Sequence, residues 1–142
     1  MTVDRTRISE KFLDAQSYLE VLESITAQST AARLQSDFSK QLKTERAFEV
    51  VLQIMIDVCP HIVSIFKEIP DSYSSCFLLL ARNNVIPLQL GEKLALAAKM
   101  RNIIVHQYAE LNYQLLFEAS NELIAAFSLF KTSVLQWIEK TF

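Results

Sequence analysis

One glycine and three prolines in 142 residues leave little of the chemistry that reverses a chain, which excludes a fold of many short strands and tight turns. Two cysteines, Cys59 and Cys76, lie far apart with no second pair. That excludes a paired-cysteine zinc framework or a disulfide scaffold, and both read as reduced core residues. Neither histidine has a glutamate three residues before it, so the Glu-x-x-His element of di-iron bundles is missing. There is no glycine-rich phosphate loop and no Gly-x-Ser-x-Gly, which sets aside P-loop hydrolysis and a serine elbow. No cofactor or metal site is expected. An excess of positive charge is also lacking. The formal charge is −2 and the pI about 5.7, so any nucleic-acid contact must be local, through Arg101 and neighbours such as Lys93 and Lys99. Residues 1–12 carry Asp4, Arg5, Arg7, Glu10 and Lys11 without an apolar run, so a secretory signal is not expected and the cytoplasm is the expected compartment.

Just over half of the residues are apolar, enough for one domain over 1–142 with a real core. Ile8, Phe12, Ala15, Leu19 and Leu22 recur at helical spacing and predict one amphipathic helix over about 5–25. A polar loop over 24–30 and a shorter helical piece through Leu34, Phe38 and Leu42 follow. Thr44 reads as the N-cap of a helix running to Phe66, with Glu45 in its first turn and a kink expected at Pro60. Asp71 or Ser72 caps a short helix to Ala81, and Asn83-Asn84 provide a left-handed exit. Pro87 suits the first turn of the next helix, and Asn112 caps a last one to about Thr141. The expectation is an all-α, up-and-down antiparallel bundle of four long helices plus one or two short ones.

The most apolar stretch, residues 47–66, is interrupted by Glu49, Gln53, Asp57, Pro60 and His61. A lipid-facing span tolerates such interruptions poorly, so it reads as a core helix, with no membrane partner. Residues 47–66 and 115–138 are nonetheless apolar around most of their circumference, more than one inner stripe requires. Either these are central helices of a larger core or a second copy of the chain covers them, as a homodimer interface.

The chemistry concentrates in residues 101–108, where Arg101, Asn102, His106 and Tyr108 place a guanidinium, an amide, an imidazole and a phenol together. A guanidinium neutralises phosphate oxygens, an imidazole moves protons near neutral pH, and a phenol accepts a nucleotidyl group. On an ideal helix Arg101 and Tyr108 nearly eclipse, whereas His106 lies roughly 140° round from Arg101. Arg and His meet only if the helix end unwinds, or if two copies face each other across a dyad. Asn102 and His106 share a face, four residues apart. Asp57 and His61 have the same spacing and read as a structural polar pair, while Arg46, Tyr73 and Arg82 read as surface or interface groups that could each line an RNA groove.

This Arg-x4-His-x-Tyr run, with Asn102 after the arginine, resembles the signature of HEPN ribonucleases and, more closely, of their HepT toxin branch. The resemblance extends over about residues 44–140: Glu45-Arg46-Ala47, Gln53, Ile56-Asp57, His61-Ile62, Pro70-Asp71-Ser72-Tyr73, Gly91-Glu92-Lys93-Leu94 and Met100-Arg101-Asn102. It implies a HEPN-like bundle in which one copy's Arg101 meets the other copy's His106. It also implies metal-independent endoribonuclease activity on RNA, with Arg101, His106 and Asn102 catalytic and Lys93 and Lys99 binding RNA. The expected partner is a MntA-type nucleotidyltransferase antitoxin that transfers AMP to Tyr108. Two other readings stand beside the toxin: a non-catalytic HEPN module that docks a nucleotidyltransferase and helps hold its nucleotide or substrate, and a purely structural helical adaptor.

Overall fold

The computed structural model describes residues 3–106 and 112–142, and for 102–106 the backbone alone. The described residues are helical almost throughout: α1 (Arg5–Asp14), α2 (Gln16–Gln28), α3 (Ala31–Gln35), α4 (Phe38–Val63), a 3-10 turn (Ser64–Phe66), α5 (Tyr73–Arg82), α6 (Leu88–His106) and α7 (Tyr113–Thr141). No strand occurs among them. The expected all-α antiparallel bundle is the observed one, with α1–α2, α4, α6 and α7 as its long members.

The chain direction follows from a few side chains. Lys11 on α1 lies beside Asp57 near the end of α4, while Gln41 at the start of α4 donates to the carbonyls of Leu34 and Gln35, so α1–α2 and α4 run oppositely. Tyr113 meets Glu45 and Phe66 stacks near Trp137, so α4 and α7 run the same way and α6 descends between them. A chain of edge-on aromatic contacts ties α1, α7 and α5 together: Phe12 to Phe127 at 5.8 Å, Phe12 to Phe130 at 6.0 Å and Phe77 to Phe130 at 6.0 Å. Burying each ring contributes on the order of 1.5–3 kcal/mol, and the edge-to-face geometry adds to that.

Three sequence expectations need correction. The helix expected over 5–25 is two helices meeting at Ala15, which is fully buried and whose N–H turns back to the Phe12 carbonyl, a tighter three-residue closure that lets α2 change direction. The loop expected over 24–30 shrinks to Ser29 and Thr30, because α2 continues to Gln28. Thr44 is not a cap. It is fully buried inside α4, and its hydroxyl bonds the Lys40 carbonyl at 2.6 Å. The cap is Asp37, whose carboxylate accepts from Lys40 N. The misreading came from Phe38 and Leu42, which suggested a separate apolar piece but lie exposed on the first turns of α4.

The end signals at Ser72, Asn84 and Asn112 hold. Ser72 caps α5 with a reciprocal Ser75 bond, Asn84 takes the left-handed exit with φ 60°, and Asn112 caps α7. Pro87 sits at the cap position of α6, where its carbonyl accepts from Gly91 N. The helix passes through Pro60 and ends three residues later by tightening into the 3-10 turn, with Lys67 left-handed after it. α4 is long and apolar enough to cross a membrane by length and composition, yet eleven of its residues from Thr44 to Val63 are buried against the bundle. That matches its reading as a core helix.

Candidate functional site

The helix that carries the motif is placed by its start. α5 ends with Val85 N bonded to the Leu80 carbonyl and Asn84 N to Ala81, closing the helix in the Schellman manner, and the Asn83 amide also donates to the Leu79 carbonyl. One turn into α6 comes the only glycine. A Cβ built at Gly91 would fall 2.8 Å from Ala81 Cβ and 3.2 Å from the Phe77 carbonyl. Its missing side chain is what lets α6 lie flush on α5, and the buried Leu90, Leu94, Ala95 and Ala98 then set the rotation of α6.

That rotation gives α6 two functional sides. Helix geometry puts Lys99, Asn102 and His106 within about 60° of one another, and Ala98 and Lys99 on this side border a cleft of about 610 Å³ between the end of α4, the start of α5 and α6. Arg101 lies roughly 160° round from Lys99 on the stripe of Leu94 and Ala97. Those two residues line a groove of about 230 Å³ against α7 together with Leu96, Met100, Leu115 and Ala119. Lys93 borders the same groove. The structure therefore separates the two lysines: both are exposed, but only Lys99 shares the side of His106.

α6 stays helical through His106. The helix end does not unwind before the histidine, so the α6 backbone sets the Arg101 and His106 positions about 140° apart round the helix within one copy. Arg101 is half-buried, and its Nε is buried with no acceptor among the described residues. An unanswered buried N–H costs on the order of 1–3 kcal/mol, and a guanidinium N–H bonds strongly to carboxylate or phosphate oxygens. The side chains of Asn102 and His106, and Tyr108 altogether, lie outside the described residues.

Other groups resolve differently from expectation. No hydrogen bond joins Asp57 and His61. Asp57 accepts from Gln53 at 2.8 Å and faces Lys11 at 3.9 Å, while His61 Nε2 is buried without a partner beside Arg7 and Lys11 in a cleft of about 80 Å³. The helical spacing was right, but the neighbours on α1 and one turn back on α4 compete for the carboxylate. Arg46 pairs with Glu49 and Arg82 with Glu68. Cys59 and Cys76 are both free and buried, and the fold brings them near enough to influence each other's protonation. Burial holds the Cys59 thiol protonated far beyond its ordinary range. Tyr113 donates its phenol to Glu45 at 3.2 Å, and desolvation followed by the Glu45 charge raises its pKa. Among the described residues no three His, Cys, Asp or Glu side chains converge as a metal site would require. Sequence reasoning passed over Asp71 as a site residue and gave Tyr73 as a surface or interface group able to line an RNA groove; the cleft beside Lys99 is lined by both. The signal was the polar run Pro70-Asp71-Ser72-Tyr73 itself.

The family model described as Ribonuclease HepT-like matches residues 15–134. The chain belongs to the HepT-like ribonuclease family. Among its members, a tRNA nuclease HepT of Aphanizomenon flos-aquae is 29% identical over 97 residues, covering 67% of this chain and 65% of that protein. An mRNA nuclease HepT of Shewanella oneidensis is 34% identical over 82 residues, covering 57% and 62%. The matches thus span just under two thirds of these relatives' lengths. The structure of a tri-AMPylated Shewanella oneidensis HEPN toxin in complex with an MNT antitoxin superposes with a TM-score of 0.81 at 25% identity, over 91% of this chain and 96% of that one. The fold alone is shared with the cytosolic protein YutE of Bacillus subtilis, of unknown function, at a TM-score of 0.85 and 19% identity over 100% and 96% of the two chains.

Proposed function

We propose that this HepT-like chain is the toxin of a toxin–antitoxin pair in the cytoplasm, a metal-independent endoribonuclease that works as a homodimer. The observation that carries the reading is the Arg101 Nε, buried with no acceptor among the described residues, on one side of an α6 whose backbone continues unbroken to the His106 position on the other. Neither group completes a site alone. A two-fold axis beside the end of α6 sets one copy's guanidinium against the other's imidazole.

In such a site His106 takes the proton from a ribose 2′-OH, the oxygen attacks the adjacent phosphorus, and the bond to the 5′-oxygen breaks as that oxygen acquires a proton. A 2′,3′-cyclic phosphate remains. Arg101 stabilises the charge accumulating on the non-bridging oxygens, and does so strongly because its head is partly removed from water. Asn102, one turn before His106, orients the imidazole or holds a phosphate oxygen, and Lys99 and Lys93 hold RNA from the two sides of α6. DNA lacks the attacking hydroxyl.

Control falls to Tyr108, as the target of AMP transfer by a MntA-type nucleotidyltransferase antitoxin. An adenylyl group there adds a fixed phosphate next to Arg101 and blocks RNA by charge and bulk. Its near rival in sequence, Tyr113, is a poor acceptor because its phenol is committed to Glu45.

The test is incubation of unmodified protein with a defined RNA in excess chelator, beside His106→Ala. Cleavage leaving cyclic-phosphate ends, lost in the variant, is the expected result. No cleavage by protein whose intact mass shows no adenylyl group overturns the ribonuclease reading in favour of a non-catalytic module that docks the nucleotidyltransferase.

A further inference from the structure

The cleft on the Lys99 side of α6 enters the chemistry above only through Lys99, yet its whole lining is suited to a nucleotide. Its volume of about 610 Å³ lies within the range of small-ligand sites. Tyr73 stands on its rim with 49% of its surface exposed, at the first position of α5, held there by the Ser72–Ser75 capping box. A half-exposed phenol on a fixed helix start is a flat platform with a free face. Ser72 and Ser74 add hydroxyls, Lys99 adds a positive charge, and Asp71 adds a carboxylate. Lys99 in turn is seven residues from His106 along an unbroken helix, so the two positions nearly eclipse and the cleft opens along the stripe that carries the histidine.

We propose that this cleft is the subsite for the nucleotide adjoining the scissile phosphate, with Tyr73 stacking on its base and Lys99 holding its phosphate. The inference rests on the ribonuclease reading for the location of the scissile bond. It goes beyond it in naming what grips the RNA. Aromatic stacking with a basic group along the backbone is how single-stranded nucleic acid is held without dependence on base identity. Asp71 adds a preference. Its carboxylate repels phosphate, so the backbone lies toward Lys99 and the base edge toward Asp71, which accepts hydrogen bonds from amino groups and favours a base that carries one.

The test uses the full chain and a fluorescent single-stranded oligonucleotide methylated at every 2′-oxygen, so that binding is read whether or not the protein cleaves. Tyr73→Ala is expected to weaken binding roughly tenfold and Tyr73→Leu by a similar factor, while Tyr73→Phe binds as the parent does. Lys99→Gln is expected to weaken binding and to reduce its salt dependence by about one counterion. Tyr73→Leu keeps the apolar bulk of the helix start, so a loss confined to the unfolded fraction of Tyr73→Ala is separated from lost stacking. Unchanged affinity in Tyr73→Ala and Tyr73→Leu, or no binding by the parent, overturns the subsite. Tyr73-dependent binding by a protein that cuts no RNA overturns the ribonuclease reading and leaves the subsite standing.

Discussion

On the side of α6 that faces α4 and α5 the lining alternates hydroxyls, a carboxylate, a phenol and a lysine. On the side that faces α7, the groove offers Leu94, Leu96, Ala97, Met100 and Leu115, with Lys93, Glu118 and Glu122 also lining it. One helix thus divides two differently lined surfaces, and the Arg101 and His106 positions are split between them. The His106 position falls on the stripe of Lys99 and the Arg101 position on the stripe of Leu94 and Ala97. The side that faces α7 also exposes Leu96 at 66% and Leu115 at 47%, the kind of surface a second copy covers. The division teaches that one copy of the helix presents its Arg101 and His106 positions to different surfaces, and that it owes those two faces to its rotation on α5.

The sharpest way to break this comparison is to damage the two sides separately and then together. Arg101→Ala and His106→Ala are each expected to lower RNA cleavage by at least a hundredfold with the helical content unchanged. Co-expressed, the two inactive variants should recover about a quarter of the parent activity, because half of the dimers are mixed and each mixed dimer holds one intact Arg–His pair. A mixture as dead as its parts would place both residues of each site on one chain. Next in size is the rotation itself. Gly91→Ala drives a methyl group into Ala81 and should cost about 1–3 kcal/mol of stability, set against about 1 kcal/mol regained in helix propensity. Leu96→Ala, on the exposed side, should leave the thermal midpoint of diluted protein nearly unchanged, and calorimetry of both variants compares them directly.

The two lysines test the sides more finely. Lys99→Gln is expected to reduce the slope of RNA affinity against salt by about 0.7 to 0.9, and Lys93→Gln by less, since its side chain opens on the apolar groove. Equal slopes would mean that RNA spans both sides. The smallest effect belongs to Tyr113. Its pKa is raised in the fold, so the stability it contributes through Glu45 is fully present below its ordinary value of about 10 and is lost as pH rises through the folded value. Tyr113→Phe should therefore melt slightly below the parent at pH 8 and converge with it in strong alkali. A gap that persists there would assign the contact to packing instead of to the proton.

Much of the fold was legible where the signal is local. Ser72, Asn84 and Asn112 act at their own helix ends, and such signals operate within a few residues whatever packs nearby. Thr44 misled because a threonine beside a glutamate reads as a start only if the preceding turn is not helical, and that depended on Asp37 and on Gln41 reaching back to α3. The break at Ala15 was equally hidden, since the apolar spacing continues through it.

By itself the sequence determined the class of structure, the position of the motif on a helix and the roughly 140° between Arg101 and His106, because these follow from periodicity, scarce turn residues and fixed helical geometry. Tertiary structure alone decided which way each side of that helix faces: Gly91 against Ala81 sets the rotation of α6, Tyr73 arrives beside Lys99 from another helix, and the Arg101 Nε is closed off from water. Those are contacts between residues distant in the chain. No local pattern records them, because which surfaces meet is settled by how the whole core fills its space.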